Sequence, residues 1–384
     1  MRYKKYTLAE LATIKYGKNQ KKVLSENGTI PIYGTGGLMG HATEALYSEP
    51  SVLIGRKGTI GKVKYVNHPF WTVDTLFYTI VNTDVVLPKY LYYVMSLIDL
   101  NNYNEGTTIP SLRTETLNRL EFDIPSLEEQ ELILSCLNPI DEKIELNSAI
   151  NENLQKQANL IFDELVGQYI PTMNDSNCSL QLHEIGNLDV LITDYVANGS
   201  FKSLADNVQY LSKETDNVLI RLTDYNNNFS SDMVYISDES YNFLSKSKLY
   251  GDEIIISNVG ANVGTVFRCP RLNKRMSLAP NAIMLRSAKY EHYLYLYFIS
   301  HYGQQQLQSI VTGSAQPKFN KTNFRSLKVV LPDETILNKI TDMYNPMYEQ
   351  IVANLRENKV LVEIRDSLLP KLMSGELEVS GLQF

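Results

Sequence analysis

Two glycine-rich loops carry the types of cationic and polar side chain that bind nucleic acid. Arginine and lysine hold phosphates, arginine also reads guanine edges, and asparagine or glutamine reads adenine edges. The first loop lies within residues 51–63 and the second within residues 253–266. Candidate contacts in the first half of the chain are Lys18, Lys21, Lys22, Tyr33, Thr35, Arg56, Lys57, Thr107 and Thr108. Those in the second half are Asn258, Asn262, Arg268, Ser314, Gln316 and Lys318, although each could equally be a solvated turn residue.

Catalytic motifs are missing from the sequence. Gly61 and Lys62 resemble the end of a phosphate-binding loop, but Val63 stands where a magnesium-binding Ser or Thr is required. The Asn-Pro-Pro-Tyr and Asp-Pro-Pro-Tyr sequences of adenine methyltransferase sites are absent. The five histidines show neither metal-binding nor triad spacing. We therefore expect a chain that binds its ligand and catalyses nothing.

The candidate loops belong to a chain that repeats itself once. Residues 138–165 match residues 345–372 at a constant interval (345 − 138 = 207), so that Asn147 corresponds to Asn354. The glycine loops also correspond, with Gly61 opposite Gly264. One long repeat indicates a duplicated unit. Because the framework agrees while the loops differ, we expect two binding modules of shared geometry that recognise different features.

Both matched stretches are predicted to be long amphipathic helices. The positions of their predicted seam alternate in steps of four and three residues, which is the spacing of a coiled coil. The seam comprises Ile140, Ile144, Asn147, Asn151, Leu154, Ala158, Ile161 and Leu165, then Met347, Ile351, Asn354, Asn358, Leu361, Arg365, Leu368 and Leu372. An ordinary core helix in each domain is the alternative. Asparagines at matched seam positions favour two helices that pair with each other.

Charge is distributed unevenly along the 384 residues, whose formal net charge is −7. Residues 1–120 hold fourteen Lys and Arg against nine Asp and Glu, whereas residues 121–170 hold two against eleven. The first segment therefore suits a polyanion and the acidic helix suits protein partners. No apolar run is long enough to cross a membrane, so no membrane partner is expected. Widely spaced Cys136, Cys178 and Cys269 predict free thiols in a reducing cytoplasm.

The element pattern predicts an α/β (α+β) protein with a pseudo-twofold internal repeat. Short strands, glycine turns and short helices fill two tandem globular segments, residues 1–127 and 180–333. A long helix follows each segment, over residues 128–170 and 334–378.

The order of globular unit, helix, globular unit and helix resembles the specificity subunit of type I restriction-modification systems. The resemblance covers nearly the whole chain. It rests on Ile32-Tyr33-Gly34-Thr35-Gly36-Gly37, the glycine loop at 55–61, Pro125-Ser126-Leu127-Glu128-Glu129-Gln130-Glu131, and the closing segment from Leu368 to Leu377. One departure is the segment 332–336, where Pro332 and Asp333 are not followed by the usual Gln. This departure affects the expected start of the second helix.

The resemblance implies two target-recognition domains, each reading one half of an interrupted, asymmetric site on double-stranded DNA. It implies that the two helices form an antiparallel coiled coil between these domains. It also implies two modification (methyltransferase) subunits that use S-adenosylmethionine, and restriction (translocase and endonuclease) subunits that use ATP and Mg. The chain itself is expected to bind no cofactor or metal. The alternatives are a self-contained methyltransferase or nuclease, and a coiled-coil adaptor without a DNA role.

Overall fold

The computed structural model describes residues 3–172, 180–229 and 233–378 of the chain, so Cys178 lies outside the described residues. The chain divides into two units. Unit 1 comprises residues 1–145 and 360–384, and unit 2 comprises residues 146–359. Each unit therefore contains one globular domain together with part of both long helices. In the described ranges, no helix has the length and apolar character needed to cross a membrane.

Unit 1 contains nine strands in the part that the structure describes. They are β1 (Lys4–Thr7), β2 (Ala12–Tyr16), β3 (Ile30–Gly34), β4 (Gly37–Ala42), β5 (Ser51–Gly55), β6 (Val63–Val66), β7 (Trp71–Thr72), β8 (Leu76–Val81) and β9 (Glu121–Ile124). The helices are α1 (Leu8–Leu11), α2 (Pro88–Ser96), α3 (Thr114–Asn118) and the start of the long α4 (Leu127–Leu165), with a 3-10 turn at Leu100–Tyr103. Strand β1 pairs with β9, β2-β8-β5-β6 form an antiparallel sheet, and β4-β3-β7 form a third sheet.

Unit 2 repeats these sheets and enlarges one of them. Its strands are β10 (Gln181–Glu184), β11 (Leu191–Asp194), β12 (Tyr210–Leu211), β13 (Asn217–Ile220), β14 (Val234–Ile236), β15 (Lys248–Leu249), β16 (Ile254–Ser257), β17 (Val266–Arg268), β18 (Arg275–Leu278), β19 (Ala282–Arg286) and β20 (Lys328–Leu331). Its helices are α5 (Phe201–Asn207), α6 (Leu222–Asn226), α7 (Asp238–Phe243), α8 (Glu291–Ile299), α9 (His301–Ser309), α10 (Lys321–Arg325) and most of the long α11 (Glu334–Met373). Short 3-10 turns lie at Gly167–Thr172, Ile185–Asn187, Tyr195–Asn198 and Ser245–Ser247.

The sheet orders confirm the duplication. The pair β10-β20 corresponds to β1-β9, and the order β11-β19-β16-β17 corresponds to β2-β8-β5-β6. The third sheet of unit 2 has the order β12-β14-β13-β18-β15. Its parallel pair β13-β18 corresponds to the parallel pair β3-β7 of unit 1, and β12 and β15 are additional strands. The extra residues of the second domain therefore extend this one sheet.

Side-chain caps determine where the long helices begin. The Ser126 N–H donates to Glu129 Oε2 at 3.2 Å and the Glu129 N–H donates to Ser126 Oγ at 3.3 Å, which forms a capping box before α4. At α11, Asp333 Oδ1 accepts from the Ile336 N–H at 2.9 Å. The departure from the family sequence at Asp333 therefore still provides a helix start, at Glu334.

The predicted coiled coil is confirmed. Asn147 Nδ2 donates to Asn358 Oδ1 at 2.9 Å, and Asn354 Nδ2 donates to Asn151 Oδ1 at 2.7 Å. Rising residue numbers on α4 meet falling numbers on α11, so the helices are antiparallel. Every one of the sixteen predicted seam positions is buried or half-buried. The seam asparagines therefore pair with each other across the two helices.

Each domain packs on both long helices within its own unit. In unit 1, Ile133 of α4 and Leu369 of α11 belong to one buried cluster with residues of α2 and β5. In unit 2, Phe162 of α4 packs on Tyr293 of α8 with ring centroids 5.9 Å apart, and Tyr344 of α11 lies in the same buried cluster. This packing fixes each domain on its helices and thereby fixes where its loops point.

Candidate nucleic-acid interface

The candidate loops of unit 1 emerge at one edge of the sheet β2-β8-β5-β6. Strand β2 ends at Tyr16, which pairs with Phe77, and β5 ends at Gly55, which pairs with Leu76. We call the group of segments at this edge loop cluster 1. It comprises residues 16–24, the β3–β4 hairpin at 34–40, the glycine loop at 55–61, and residues 104–112.

Backbone hydrogen bonds hold the glycine loop against residues 104–112. The Gly58 N–H donates to the Pro110 carbonyl at 2.9 Å, and the Leu112 N–H donates to the Arg56 carbonyl at 2.9 Å. Gly58 has φ +86°, a conformation that favours glycine. These contacts bring Arg56 and Lys57 together with the segment that carries Thr107 and Thr108, as the sequence predicted.

Arg56 is a cation of loop cluster 1 whose guanidinium has contacts within the domain. Its Nη1 donates to the Asp74 carbonyl at 2.8 Å, and its guanidinium lies 5.0 Å from the centroid of the exposed Tyr16 ring. The hydrogen bond and the cation–π contact orient the guanidinium before any ligand arrives. Tyr16 was not predicted as a site residue. The sequence feature that could have indicated it is an aromatic residue at the end of a strand, directly before a lysine-rich segment.

The other predicted cations and hydroxyls of loop cluster 1 are accessible. The Lys18 backbone is fixed, because its N–H donates to the Thr72 carbonyl and its carbonyl accepts from Trp71 Nε1 at 2.9 Å. Thr35 lies beside the glycine loop, since a Cβ on Gly58 would be 3.9 Å from Thr35 Oγ1. The exposed members are Lys18, Lys21, Lys22, Lys57, Thr107 and Thr108, and Thr35 is half-buried.

Tyr33 has a packing role. Its side chain is only 8% exposed and belongs to a buried cluster with Leu53 and Phe70. Its hydroxyl lies 3.3 Å from His68 Nε2, and Lys64 Nζ lies 4.0 Å from the ring centroid. The structure therefore places Tyr33 beneath the hairpin. Because so little of its ring is exposed, the prediction that Tyr33 contacts DNA directly is wrong.

Unit 2 presents a matching group, loop cluster 2, formed by residues 257–264 and 312–318. The Gly260 N–H donates to the Pro317 carbonyl at 2.9 Å, which repeats the bond from Gly58 to Pro110. Thr312 and Lys318 exchange backbone hydrogen bonds of 2.8 and 2.9 Å. The exposed predicted residues of this cluster are Asn262, Ser314, Gln316 and Lys318.

Asn258 braces loop cluster 2. Its Nδ2 donates to the Phe319 carbonyl at 3.0 Å, and its own carbonyl accepts from the Phe319 N–H at 3.0 Å. The Nδ2 group is thus engaged, whereas the buried Oδ1 has no hydrogen-bond partner among the residues that the structure describes. Asn258 therefore holds the two segments together, and its contact with DNA stays a prediction.

Arg268 is buried in the interface between the second domain and α11. Its side chain is 6% exposed, and Nη1 donates to Glu291 Oε1 at 2.8 Å. The guanidinium lies 4.2 Å from the Tyr348 ring centroid and 4.6 Å from that of Tyr295. The structure contradicts the prediction that Arg268 contacts DNA. Neighbouring Arg271 forms an ion pair with Glu349 of α11 at 2.7 Å. The sequence did not predict this pair, because the two residues lie far apart in the chain.

We expect His292 to make the stability of the chain sensitive to acid. Burial, followed by the charge of Arg268, lowers the pKa of His292 to about 4, and Arg268 Nη2 lies 3.0 Å from His292 Nδ1. The unfolded chain, with a His pKa of about 6.5, binds this proton first, so this contribution to stability is lost as the pH falls from about 6.5 to 4. We expect urea midpoints of His292→Gln to fall less over this range than those of the original chain. Parallel curves would contradict the assignment.

None of the described residues form a cluster of three or more His, Cys, Asp or Glu side chains able to hold a metal ion. Cys136 and Cys269 are free, and burial raises the pKa of the Cys269 thiol well above its usual value. The polar groups accessible at both loop clusters are cations, amides and hydroxyls. These groups bind phosphates and base edges.

Two similar domains, each with a polar loop cluster and both packed on an antiparallel coiled coil, define a duplicated nucleic-acid recognition protein. The family profile described as the type I restriction modification DNA specificity domain matches residues 2–156 and 199–358, which is more than half of the chain. The chain belongs to this family of type I specificity subunits, and its role is the recognition of DNA sequence. The resemblance inferred from the sequence is confirmed.

Relatives with similar sequences span most of the chain. The chain is 26% identical over 359 residues to the type I restriction enzyme MjaIX specificity subunit of Methanocaldococcus jannaschii, covering 88% of this chain and 80% of the relative. It is 22% identical over 375 residues to the HindI specificity subunit of Haemophilus influenzae, covering 80% and 81%. A crystal structure of a type I restriction-modification S subunit from M. genitalium has a TM-score of 0.56 at 16% identity, covering 97% and 96%. At this identity the structural likeness concerns the fold alone.

Proposed function

We propose that the chain reads a bipartite, asymmetric DNA site, with loop cluster 1 on one half-site and loop cluster 2 on the other. The observation that carries this proposal is the repeated hydrogen bond from Gly58 to Pro110 and from Gly260 to Pro317 beneath two different sets of side chains. Because the two scaffolds are alike, both domains should dock on DNA in the same way. Their loop side chains differ, with Arg56 and Lys57 in one cluster and Asn262 and Gln316 in the other, and therefore select different base edges. The proposed site is therefore asymmetric.

The helix pair is proposed to determine the separation of the two half-sites. Each domain packs on both α4 and α11, and the paired asparagines fix the register of these helices. In two-domain DNA readers the spacing between recognition elements determines the spacing between half-sites. Insertion of matched heptads in α4 and α11 is accordingly expected to lengthen the preferred gap without changing either half-site.

Partner subunits are proposed to supply the chemistry. The relatives are named as specificity subunits of restriction enzymes, and two modification subunits bringing S-adenosylmethionine are proposed to dock on the helices of this chain. Restriction subunits that use ATP and Mg would join the complex through them. The excess of eleven acidic over two basic residues in 121–170 supports a protein partner for that helix, since it disfavours DNA there. The complex is proposed to work in the cytoplasm, without catalysis or a bound cofactor in this chain.

The methylated sequences of a host that expresses the intact system, with and without this gene, test the proposal. The expected result is a methylated motif of two short unlike halves separated by unspecified bases, which disappears when the gene is removed. A continuous motif, or no change on removal, would contradict it. Purified complex should also bind this motif more tightly than scrambled DNA, with salt-dependent affinity. Equal binding of both DNAs would instead favour the adaptor alternative.

Arg56→Ala is expected to weaken binding at the half-site read by unit 1 by about 1 to 3 kcal/mol. Its guanidinium is held by Asp74 and Tyr16, which suits bidentate contact with a guanine edge. Competition binding with single-base variants of each half-site measures the effect, and discrimination should decrease at one base pair of one half-site. Lys5→Ala is the control, because Lys5 is an exposed cation on β1 paired with Glu121. A uniform loss across all sequences would show that Arg56 contacts phosphate.

A further inference from the structure

The β3–β4 hairpin of loop cluster 1 presents large apolar side chains to solvent. Leu38 is 58% exposed and Met39 is 55% exposed, and Leu24 beside them is 53% exposed. None of these residues is able to bind phosphate, and none was selected as a candidate contact from the sequence. They nevertheless belong to loop cluster 1, the proposed DNA-reading surface of unit 1.

Exposed apolar residues in the first domain are concentrated in this cluster. Among described residues 3–127, seven large hydrophobic side chains are exposed. Five of them belong to loop cluster 1, namely Tyr16, Leu24, Leu38, Met39 and Ile109, and the other two are Ile80 and Leu97. Scattered exposed hydrophobics need no explanation, but a group gathered at one site indicates that something apolar is bound there.

The hairpin backbone directs these side chains outward. Ile32 pairs with Gly40 while Tyr33 pairs with Leu38, so Met39 is the extra residue of a β-bulge. Bulges re-aim side chains at the edges of sheets, and β4 is an edge strand. Met39 packs over Gly34, where a Cβ would lie 2.4 Å from Met39 Sδ. The Met39 side chain therefore occupies the space that a Cβ at position 34 would take.

Segments that carry cationic side chains lie next to the hairpin. The Leu24 N–H donates to the Gln20 carbonyl at 2.9 Å, and the Ser25 N–H donates to the His41 carbonyl at 3.0 Å. The second bond joins the segment carrying Lys21 and Lys22 to β4 of the hairpin. On its other side, Thr35 lies next to the glycine loop that carries Arg56 and Lys57. An apolar tip between cations matches an apolar group that is flanked by phosphates.

In the DNA major groove, the apolar group at the edges of the bases is the C5-methyl of thymine. A two-stranded β-ribbon is narrow enough to enter that groove, and apolar side chains contact this methyl. We propose that Leu38 and Met39 read thymine methyl groups in the half-site bound by unit 1, with the neighbouring lysines on the phosphates. This inference deepens the proposed function and depends on it.

Replacement of thymine by deoxyuridine removes the single methyl group and tests the inference in the intact complex. Each thymine of the half-site, on both strands, is replaced in turn and the affinity is measured by competition. Loss of one buried methyl is expected to weaken binding about fourfold at one or two positions. In the double variant Leu38→Ala/Met39→Ala, the same replacements are expected to change affinity by less than twofold, because the partner of the methyl is gone.

Leu97→Ala provides the matched control, since Leu97 is exposed beyond the end of α2 and outside loop cluster 1. The Leu97→Ala variant should keep the full fourfold loss of affinity when thymine is replaced by deoxyuridine. Trp71 pairs with Ile32 in the same sheet as the hairpin, so its fluorescence checks that the variant is folded.

The inference would be overturned by a half-site without thymine on either strand, by unchanged affinity for every deoxyuridine-substituted DNA, or by a double variant with undiminished sensitivity. A double variant that loses partner subunits while still sensing the methyl groups would assign the tip to a protein contact and would also overturn it. If the complex cannot distinguish its motif from scrambled DNA, the proposed function itself has failed. That outcome is separate, because it is visible before any deoxyuridine is introduced.

Discussion

Arg268→Ala is expected to lower the free energy of unfolding by about 3 to 5 kcal/mol, the largest effect of any substitution considered. The substitution leaves Glu291, which bonds to Arg268 at 2.8 Å, without its cation inside the interface. It also removes the guanidinium that packs on Tyr348 of α11. Urea denaturation of the whole chain, followed by far-ultraviolet circular dichroism, measures the loss. Trp71, the only tryptophan, reports separately on unit 1 by fluorescence.

Arg275→Ala is the matched control for Arg268. It removes an arginine from β18, the next strand along the chain, but its pair with Asp238 is exposed, so a much smaller loss than that of Arg268→Ala is expected. The double variant Arg268→Met/Glu291→Leu should recover most of the stability, because an apolar pair leaves no buried charge without a partner. Equal effects of Arg268→Ala and Arg275→Ala would contradict the structural role assigned to Arg268.

Asn354→Leu is expected to cost about 1 to 3 kcal/mol, because it leaves Asn151 Oδ1 without its donor in the helix interface. Asn354 is 4% exposed, donates to Asn151 at 2.7 Å and accepts from Gln350 Nε2 at 2.7 Å. Asn153→Leu is the control, since Asn153 is exposed on α4 two residues from Asn151 and should change stability by less than about 0.5 kcal/mol. Denaturant midpoints compare the two variants.

The double variant Asn151→Leu/Asn354→Leu distinguishes stability from register. Replacing both partners by apolar side chains should restore most of the stability, since no buried polar group is left unpaired. It should also remove one of the two asparagine pairs that fix the register of the helices, leaving the pair of Asn147 and Asn358. In the assembled complex, the expected result is weaker discrimination between half-site spacings with both half-sites still recognised. Loss of stability equal to the sum of the two single variants would contradict this interpretation.

The helix seam could be predicted residue by residue from the sequence. A coiled coil buries one stripe of each helix, and the stripe follows the helical period alone. All sixteen positions were therefore identifiable without knowledge of the partner, and each is buried or half-buried. The duplication was likewise visible, because equal spacing of matching residues requires no tertiary information.

The loop clusters could be predicted only in part. Backbone glycines and prolines located the segments correctly, and bonds such as Gly58 to Pro110 bring Arg56, Lys57, Thr107 and Thr108 into one group. The apolar tip at Leu38 and Met39 was not identified, because local sequence does not show whether an apolar residue beside a glycine turn is buried. Exposure depends on the β-bulge and on the edge position of β4.

The sequence by itself determined the duplicated architecture, the paired helices and the segments that form the loops. The tertiary structure alone decided which polar side chains remain available for DNA. Arg268 and Asn262 occupy similar glycine-loop surroundings in the sequence, yet Arg268 is enclosed by Tyr348, eighty residues further along (348 − 268 = 80), while Asn262 stays exposed. Burial results from contacts between residues distant in the chain, and local composition carries no record of those contacts.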